Sequence, residues 1–264
     1  MAVKRIDFFS DCLRRRVEYH VAMPDDCMGD TREAAEKRKQ LKVLVFLHGY
    51  CEMGIDFLEK TDIEQLAGKY GLCVILPNGE NSFYLDGKAT GRQYGTYVGV
   101  EIPDHARAVL GLSDKREDAF IGGTSMGGFG AIHTGLFFPE RYAGIFGMSS
   151  ALIMDFVAEK EASMAHGIAN QEYYDLMFGP AEELLAGTND PRVLIRKLKE
   201  EAKEIPGLYI TCGTSDFMIE QSRAFHRFLT ELEVPHTYVE AEGAHNFEFW
   251  KPQMEHAICA VLGK

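Results

Sequence analysis

Several features are missing from this 264-residue chain, and each absence excludes something. No stretch approaches 18 consecutive apolar residues, so no membrane-spanning helix is expected. The N-terminus meets Asp7 and Asp11 before any useful apolar run, unlike an export signal. Basic residues are outnumbered, 28 against 40 acidic ones, giving a net charge of −12. That balance is wrong for a phosphate-backbone binder, so no nucleic-acid partner is expected, and no membrane partner either. The six cysteines (Cys12, Cys27, Cys51, Cys73, Cys212, Cys259) include no C-x-x-C pair. They read as free thiols in a reducing, cytoplasmic setting, not as a disulfide scaffold or a zinc ribbon. Repeats and low-complexity tracts are absent as well.

What is present is an ordinary globular composition, 46% apolar and 26% charged, enough for a sizeable core. Short apolar runs alternate with helical patterns along the whole chain. Residues 15–23 alternate in the manner of a strand on a half-exposed sheet edge, whereas 42–47 (KVLVFL) is apolar almost throughout, as a strand covered on both faces should be. Similar runs lie at 72–76, 119–121, 142–148, 208–212 and 236–240. Helical spacing is expected over 56–69, 103–110, 126–137, 191–204, 217–232 and 247–262. This alternation implies an α/β chain, residues 1–264 forming one domain: a mostly parallel central sheet with helices on both faces. The polar stretch 29–42 reads as an exposed loop or a short surface helix. A helical insertion over 155–204 follows the strand at 142–148; it is either a partial lid over the carboxyl edge of the sheet or a plain excursion.

The sharpest motif is Gly123-Thr-Ser125-Met-Gly127-Gly128, set between a short strand and a helix. That is the context of a G-x-S-x-G nucleophile elbow. Side chains at 123 and 127 would meet neighbouring backbone, so glycine belongs there. The turn lifts the Ser125 hydroxyl above the sheet and aims the first amides of the following helix at the same point.

A serine hydroxyl needs a base held by a third group. His133, His226 and His256 fall within helices and His236 at a strand start. His245 stands in a loop after the last strand and is preferred as the base; His166, in the insertion, is the second choice. Asp216 follows a strand and a glycine turn, from where it can reach a histidine Nδ1. Asp190 reads better as a helix N-cap. For the oxyanion, the expected donors are the backbone N–H groups of Met126 and of Tyr50, in the loop His48-Gly49-Tyr50. His48 reads as a structural residue tying down loops. Around them, Cys51, Asn78, Tyr84, Tyr94, Tyr97 and Trp250 are candidate substrate-binding residues, the tyrosines as stacking faces with hydroxyl handles.

The chain at this point resembles a known family. Residues 46–49 (FLHG), 57–66 (FLEKTDIEQL), 74–78 (VILPN), 123–128 (GTSMGG), 212–216 (CGTSD) and 243–246 (GAHN) are similar to the esterase D-like esterases of the carbohydrate esterase family 1 type, in particular to the tributyrin esterase and acetyl esterase branch. The resemblance spans about residues 40–262. It implies an α/β-hydrolase fold and a cofactor-free, metal-free serine carboxylesterase acting on short acyl esters, acetylated or feruloylated sugars among them, often as a homo-oligomer. Ser125, Asp216 and His245 fall on the family's triad positions, and Tyr50 and Met126 on its oxyanion positions. Four alternatives share parts of this machinery: an S-formylglutathione hydrolase or related thioesterase, a peptidase, an acyltransferase, and a catalytically dead binding module on the same fold.

Overall fold

The structure, a computed structural model, describes residues 2–159 and 169–264. Eight strands form one sheet: β1 (Ala2–Ser10), β2 (Arg15–Met23), β3 (Lys42–Leu47), β4 (Leu72–Pro77), β5 (Ala119–Thr124), β6 (Gly144–Met148), β7 (Gly207–Gly213) and β8 (His236–Ala241). Their order is β1-β2-β4-β3-β5-β6-β7-β8. From β4 to β8 every pairing is parallel; β2 joins β4 antiparallel, and β1 joins β2 antiparallel. The expected α/β-hydrolase architecture is therefore present, with one strand more than the sequence suggested. In β1, half-buried and exposed positions alternate, but the neighbours Lys4-Arg5 and Phe8-Phe9 hide that period in the sequence; β1, and not β2 as the sequence suggested, forms this edge of the sheet.

The helices are α1 (Arg32–Arg38), α2 (Gly54–Lys60), α3 (Ile63–Tyr70), α4 (Tyr94–Thr96), α5 (Ile102–Leu110), α6 (Met126–Phe137), α7 (Met154–Ala158), α8 (Gln171–Phe178), α9 (Ala181–Leu184), α10 (Pro191–Glu200), α11 (Ile219–Glu231) and α12 (Phe247–Leu262). A π-helical turn, Tyr97–Glu101, joins α4 to α5. The single helix expected over 56–69 is two. At Thr61 the chain turns extended (φ −131°, ψ 175°), and the Thr61 hydroxyl donates back to the Phe57 carbonyl at 2.5 Å, closing α2. The polar 29–42 stretch carries α1, capped by the Thr31 hydroxyl, which accepts from Ala34 N–H. No helix among the described residues is long and apolar enough to cross a membrane.

Alternation along the buried strands divides the core between the two faces of the sheet. In β3, Val43, Val45 and Leu47 join α5 and α6 on one face. Leu44 and Phe46 join Phe57, Ile63, Trp250 and Met254, from α2, α3 and α12, on the other. Strand order then locates the site. From β3 the chain goes to β4 on one side and returns to β5 on the other, so the crevice between the carboxyl ends of β3 and β5 is a topological switch point, where open α/β sheets bind ligands.

Candidate active site

Ser125 leaves β5 with φ 54° and ψ −119°, outside the regions an L-residue favours. Surrounding contacts hold it there. Its N–H donates to the Met148 carbonyl (2.9 Å), and its own carbonyl accepts from Phe129 N–H (3.0 Å) and Ala151 N–H (2.9 Å). The flanking glycines are required sterically. A Cβ at Gly123 would stand 2.4 Å from the Gly127 carbonyl oxygen, and one at Gly127 would stand 2.1 Å from the Leu47 carbonyl oxygen. The elbow is thus wedged directly against the end of β3.

Two further loops arrive at this serine. After β8, residues 242–246 carry His245, whose Nε2 lies 2.9 Å from Ser125 Oγ. After β7, the turn carries Asp216, whose two oxygens lie 2.9 and 3.0 Å from His245 Nδ1. A carboxylate at Nδ1 fixes the proton on that nitrogen and leaves the Nε2 lone pair facing the serine. Asp216 is buried, 2% exposed, and its Oδ1 also accepts from Met218 N–H at 2.8 Å. Burial alone would raise its carboxyl; the hydrogen bond and charge of His245 outweigh that and hold it below the usual carboxylate range. Asp190, by contrast, caps α10, accepting from Arg192 N–H at 2.8 Å, as expected. His166 lies outside the described residues.

The loop after β3 faces Ser125 from the other side. His48 is fully buried. Its Nε2 accepts from Gly79 N–H (2.9 Å), so Nδ1 carries the proton and donates to the Gly49 carbonyl (2.8 Å). Burial lowers its pKa and keeps the ring neutral. His48 thus ties the loops after β3 and β4 together. The neighbouring N–H groups are spent: Gly49 donates to Glu52 Oε2 (2.7 Å) and Cys51 to Asn81 Oδ1 (2.8 Å). Tyr50 N–H lies between them, and Met126 N–H opens α6 across the elbow.

The other candidate binding residues are placed differently. Tyr84 and Tyr97 are fully buried and Tyr94 nearly so, which corrects their reading as faces for a ligand. Tyr84 is wedged against Gly79 and Gly130 and donates to the His48 carbonyl at 2.9 Å; Tyr94 donates to Glu80. Asn78 is occupied in capping α2, its Oδ1 accepting from Gly54 N–H at 2.9 Å. Trp250 is also buried, but its ring edge meets His245 with centroids 5.1 Å apart, and its Nε1–H donates to Ser149 Oγ at 3.0 Å. It supports the imidazole from within. Cys51 alone of this group is exposed, with φ 62°.

Sequence reasoning missed three residues beside the site. Phe217, half exposed, packs its ring 4.3 Å from that of His245. Its position next to Asp216 was the available signal. Tyr173 on α8 donates to the Asn81 carbonyl at 2.5 Å and meets the Tyr50 ring edge-on at 5.6 Å. The insertion therefore touches the loops after β3 and β4, and no local motif announces this. Glu52, four residues after His48, holds Gly49. No group of three or more His, Cys, Asp or Glu among the described residues is placed to hold a metal ion.

Fold and geometry together define a class: a serine hydrolase of the α/β-hydrolase fold. Comparison with known proteins narrows it. The family model described as Putative esterase matches residues 10–260, and the chain belongs to that family. An acetyl esterase of Caldicellulosiruptor saccharolyticus is 35% identical over 258 residues, covering 98% of this chain and 97% of that protein. Among solved structures, the fluorophosphonate-binding serine hydrolase FphF of Staphylococcus aureus superposes with a TM-score of 0.85 at 27% identity, covering 100% of this chain and 99% of that one. The S-formylglutathione hydrolase FrmB of the same organism gives 0.83 at 27% identity, covering 99% and 98%.

Proposed function

We propose that this protein is a cytoplasmic acetyl esterase, hydrolysing esters of acetate and other short acyl groups, tributyrin included, through an acyl-enzyme on Ser125. The observation that carries the reading is the unbroken array from Asp216 through His245 Nδ1 and Nε2 to Ser125 Oγ, each step 2.9–3.0 Å. Ser125 Oγ attacks the ester carbonyl carbon while His245 Nε2 takes its proton. The carbonyl oxygen becomes an oxyanion between Tyr50 N–H and Met126 N–H, and Asp216 stabilises the imidazolium. His245 then protonates the departing alkoxide. Water, deprotonated by the same nitrogen, releases the acid and restores the serine. One backbone donor of this kind is worth about 2.7–4 kcal/mol in the transition state.

Short acyl groups and an acetyl ester follow from the full-length similarity to an acetyl esterase. That similarity favours an oxygen ester over the thioester of an S-formylglutathione hydrolase. Contacts of Tyr173 with Tyr50 and Asn81 support a role for α8 as a wall of the substrate pocket, the partial-lid alternative for the insertion. All six cysteines are free thiols, which suits a reducing cytoplasm. The test is Ser125→Ala, assayed with p-nitrophenyl acetate and by fluorophosphonate labelling. Turnover and label should both vanish while the circular dichroism spectrum is unchanged; retained turnover would refute the assignment. Rates on acetylated xylose and on S-formylglutathione then rank the oxygen ester against the thioester.

A further inference from the structure

Glu52 is a carboxylate beside the site that the mechanism above does not use. Every polar backbone group of Gly49 is engaged. Its N–H donates to Glu52 Oε2 at 2.7 Å. Its carbonyl accepts from Glu52 N–H at 3.3 Å and from His48 Nδ1 at 2.8 Å. One residue, Glu52, thus grips Gly49 from both ends, and Cys51, at φ 62°, turns the chain back so that it can. With Cys51 N–H held by Asn81, the peptides on either side of Tyr50 are immobilised, and the Tyr50 N–H direction is fixed with them. The carboxylate is also close to the nucleophile. A Cβ built on Gly49 would stand 2.7 Å from Glu52 Oε2 and 3.5 Å from Ser125 Cβ, so the two groups border the same small space.

We propose that Glu52 is the positioning residue of the oxyanion loop, and that its charge makes the site discriminate against esters carrying a negative group. This inference rests on the esterase function proposed above. The ionisable groups facing Glu52 are Asp56, Lys60, His245 and Tyr84. Lys60 is already paired with Asp56 Oδ1 at 2.7 Å, so its charge is shared. A neutral amide at 52 could hold Gly49 N–H equally well. The charge is therefore an addition to the clamp, and its consequence is electrostatic selection of neutral or cationic substrates. Burial raises the Glu52 carboxyl above the ordinary range despite the Gly49 N–H, so on acidification it loses its charge before an ordinary carboxylate does.

The experiment uses two esters of matched leaving group, 4-acetoxybenzenesulfonate, permanently anionic, and 4-(methylsulfonyl)phenyl acetate, neutral. Glu52→Ala should lower kcat on both by at least about tenfold with KM for the neutral ester little changed, because the lost interaction acts in the transition state. Glu52→Gln should restore most of that kcat. The ratio of kcat/KM, anionic over neutral, cancels any protonation step common to the two esters. In the parent it should rise as the pH is lowered and Glu52 takes up its proton; in Glu52→Gln it should be flat, and at pH 8 at least about threefold above the parent. A kcat for Glu52→Ala within threefold of the parent overturns the clamp, and a flat parent ratio equal to that of Glu52→Gln overturns the selection. If Glu52→Ala does not fold, the Glu52→Gln ratio still decides. Activity that survives Ser125→Ala would instead overturn the esterase mechanism itself.

Discussion

Adding one methyl group at Gly127 should damage catalysis more than it damages the fold. A Cβ there would stand 2.1 Å from the Leu47 carbonyl oxygen, 2.5 Å from its carbon and 2.6 Å from the His48 carbonyl oxygen. These are backbone atoms and cannot rotate away. To reach an ordinary contact near 3.4 Å, the start of α6 and the end of β3 must part by roughly 1.3 Å. Those two segments carry the two proposed oxyanion donors, Met126 on one side and Tyr50 on the other. The strain of overpacking is about 1–3 kcal/mol. For a chain of this size that lowers Tm by about 2–12 °C. A misplacement of about 1 Å at the reacting atoms costs about a hundredfold in rate.

Gly127→Ala should therefore remain folded at 25 °C, with kcat for p-nitrophenyl acetate down by about a hundredfold. Gly135→Ala is the matched control. It lies on the same helix, and its Cβ would meet the Ile145 side chain at 2.5 Å, far from the elbow. It should lose a comparable amount of stability and keep its kcat. Steady-state kinetics on protein checked by thermal melts decides the matter. Gly127→Ala with kcat within threefold of the parent would refute the steric argument for the elbow.

Two further outcomes are expected. His133 is buried between Phe129 and Phe137, its Nε2 donating to the Thr188 carbonyl at 2.9 Å, and burial lowers its pKa to about 4. The unfolded chain takes up this proton near pH 6.5, so the stability is complete above pH 6.5 and is lost as pH falls toward 4, by about 3 kcal/mol in all. Urea melts of His133→Phe should show a shallower loss between pH 6.5 and 4.5 than the parent; equal slopes would contradict this. Trp250→Phe removes the indole donor to Ser149 Oγ and loosens the support behind His245. A loss of about 1–3 kcal/mol in chemical denaturation is expected, with a several-fold lower kcat, and an unchanged kcat would show that the imidazole is held without it.

How far the sequence could be read depends on the range over which each feature is determined. The elbow was legible because its signature is local, five residues between a strand and a helix, even though the backbone that crowds Gly127 belongs to Leu47 and His48. The convergence of Ser125, Asp216 and His245 was legible because chain order places each at the carboxyl end of a strand, and a parallel sheet brings those ends together. The tyrosines were misjudged for the complementary reason. The segment 78–97 does not by itself distinguish a tyrosine whose ring meets a ligand from one that fills the gap left by Gly79 and Gly130; Gly79 stands in the same loop as Tyr84, but Gly130, on α6, is more than forty residues away. Glu52 and Tyr173 escaped notice because their significance is a contact: one with Gly49 N–H, three residues away but only through a turn at positive φ, and the other with a loop more than ninety residues distant. Family resemblance is strongest at positions that the sheet fixes, because Ser125, Asp216 and His245 each follow the carboxyl end of a parallel strand. It says less about the pocket, for which the proposed walls are α8 and the loop after β3. A difference in substrate preference within the family is therefore to be sought at Glu52 and Tyr173 before the triad.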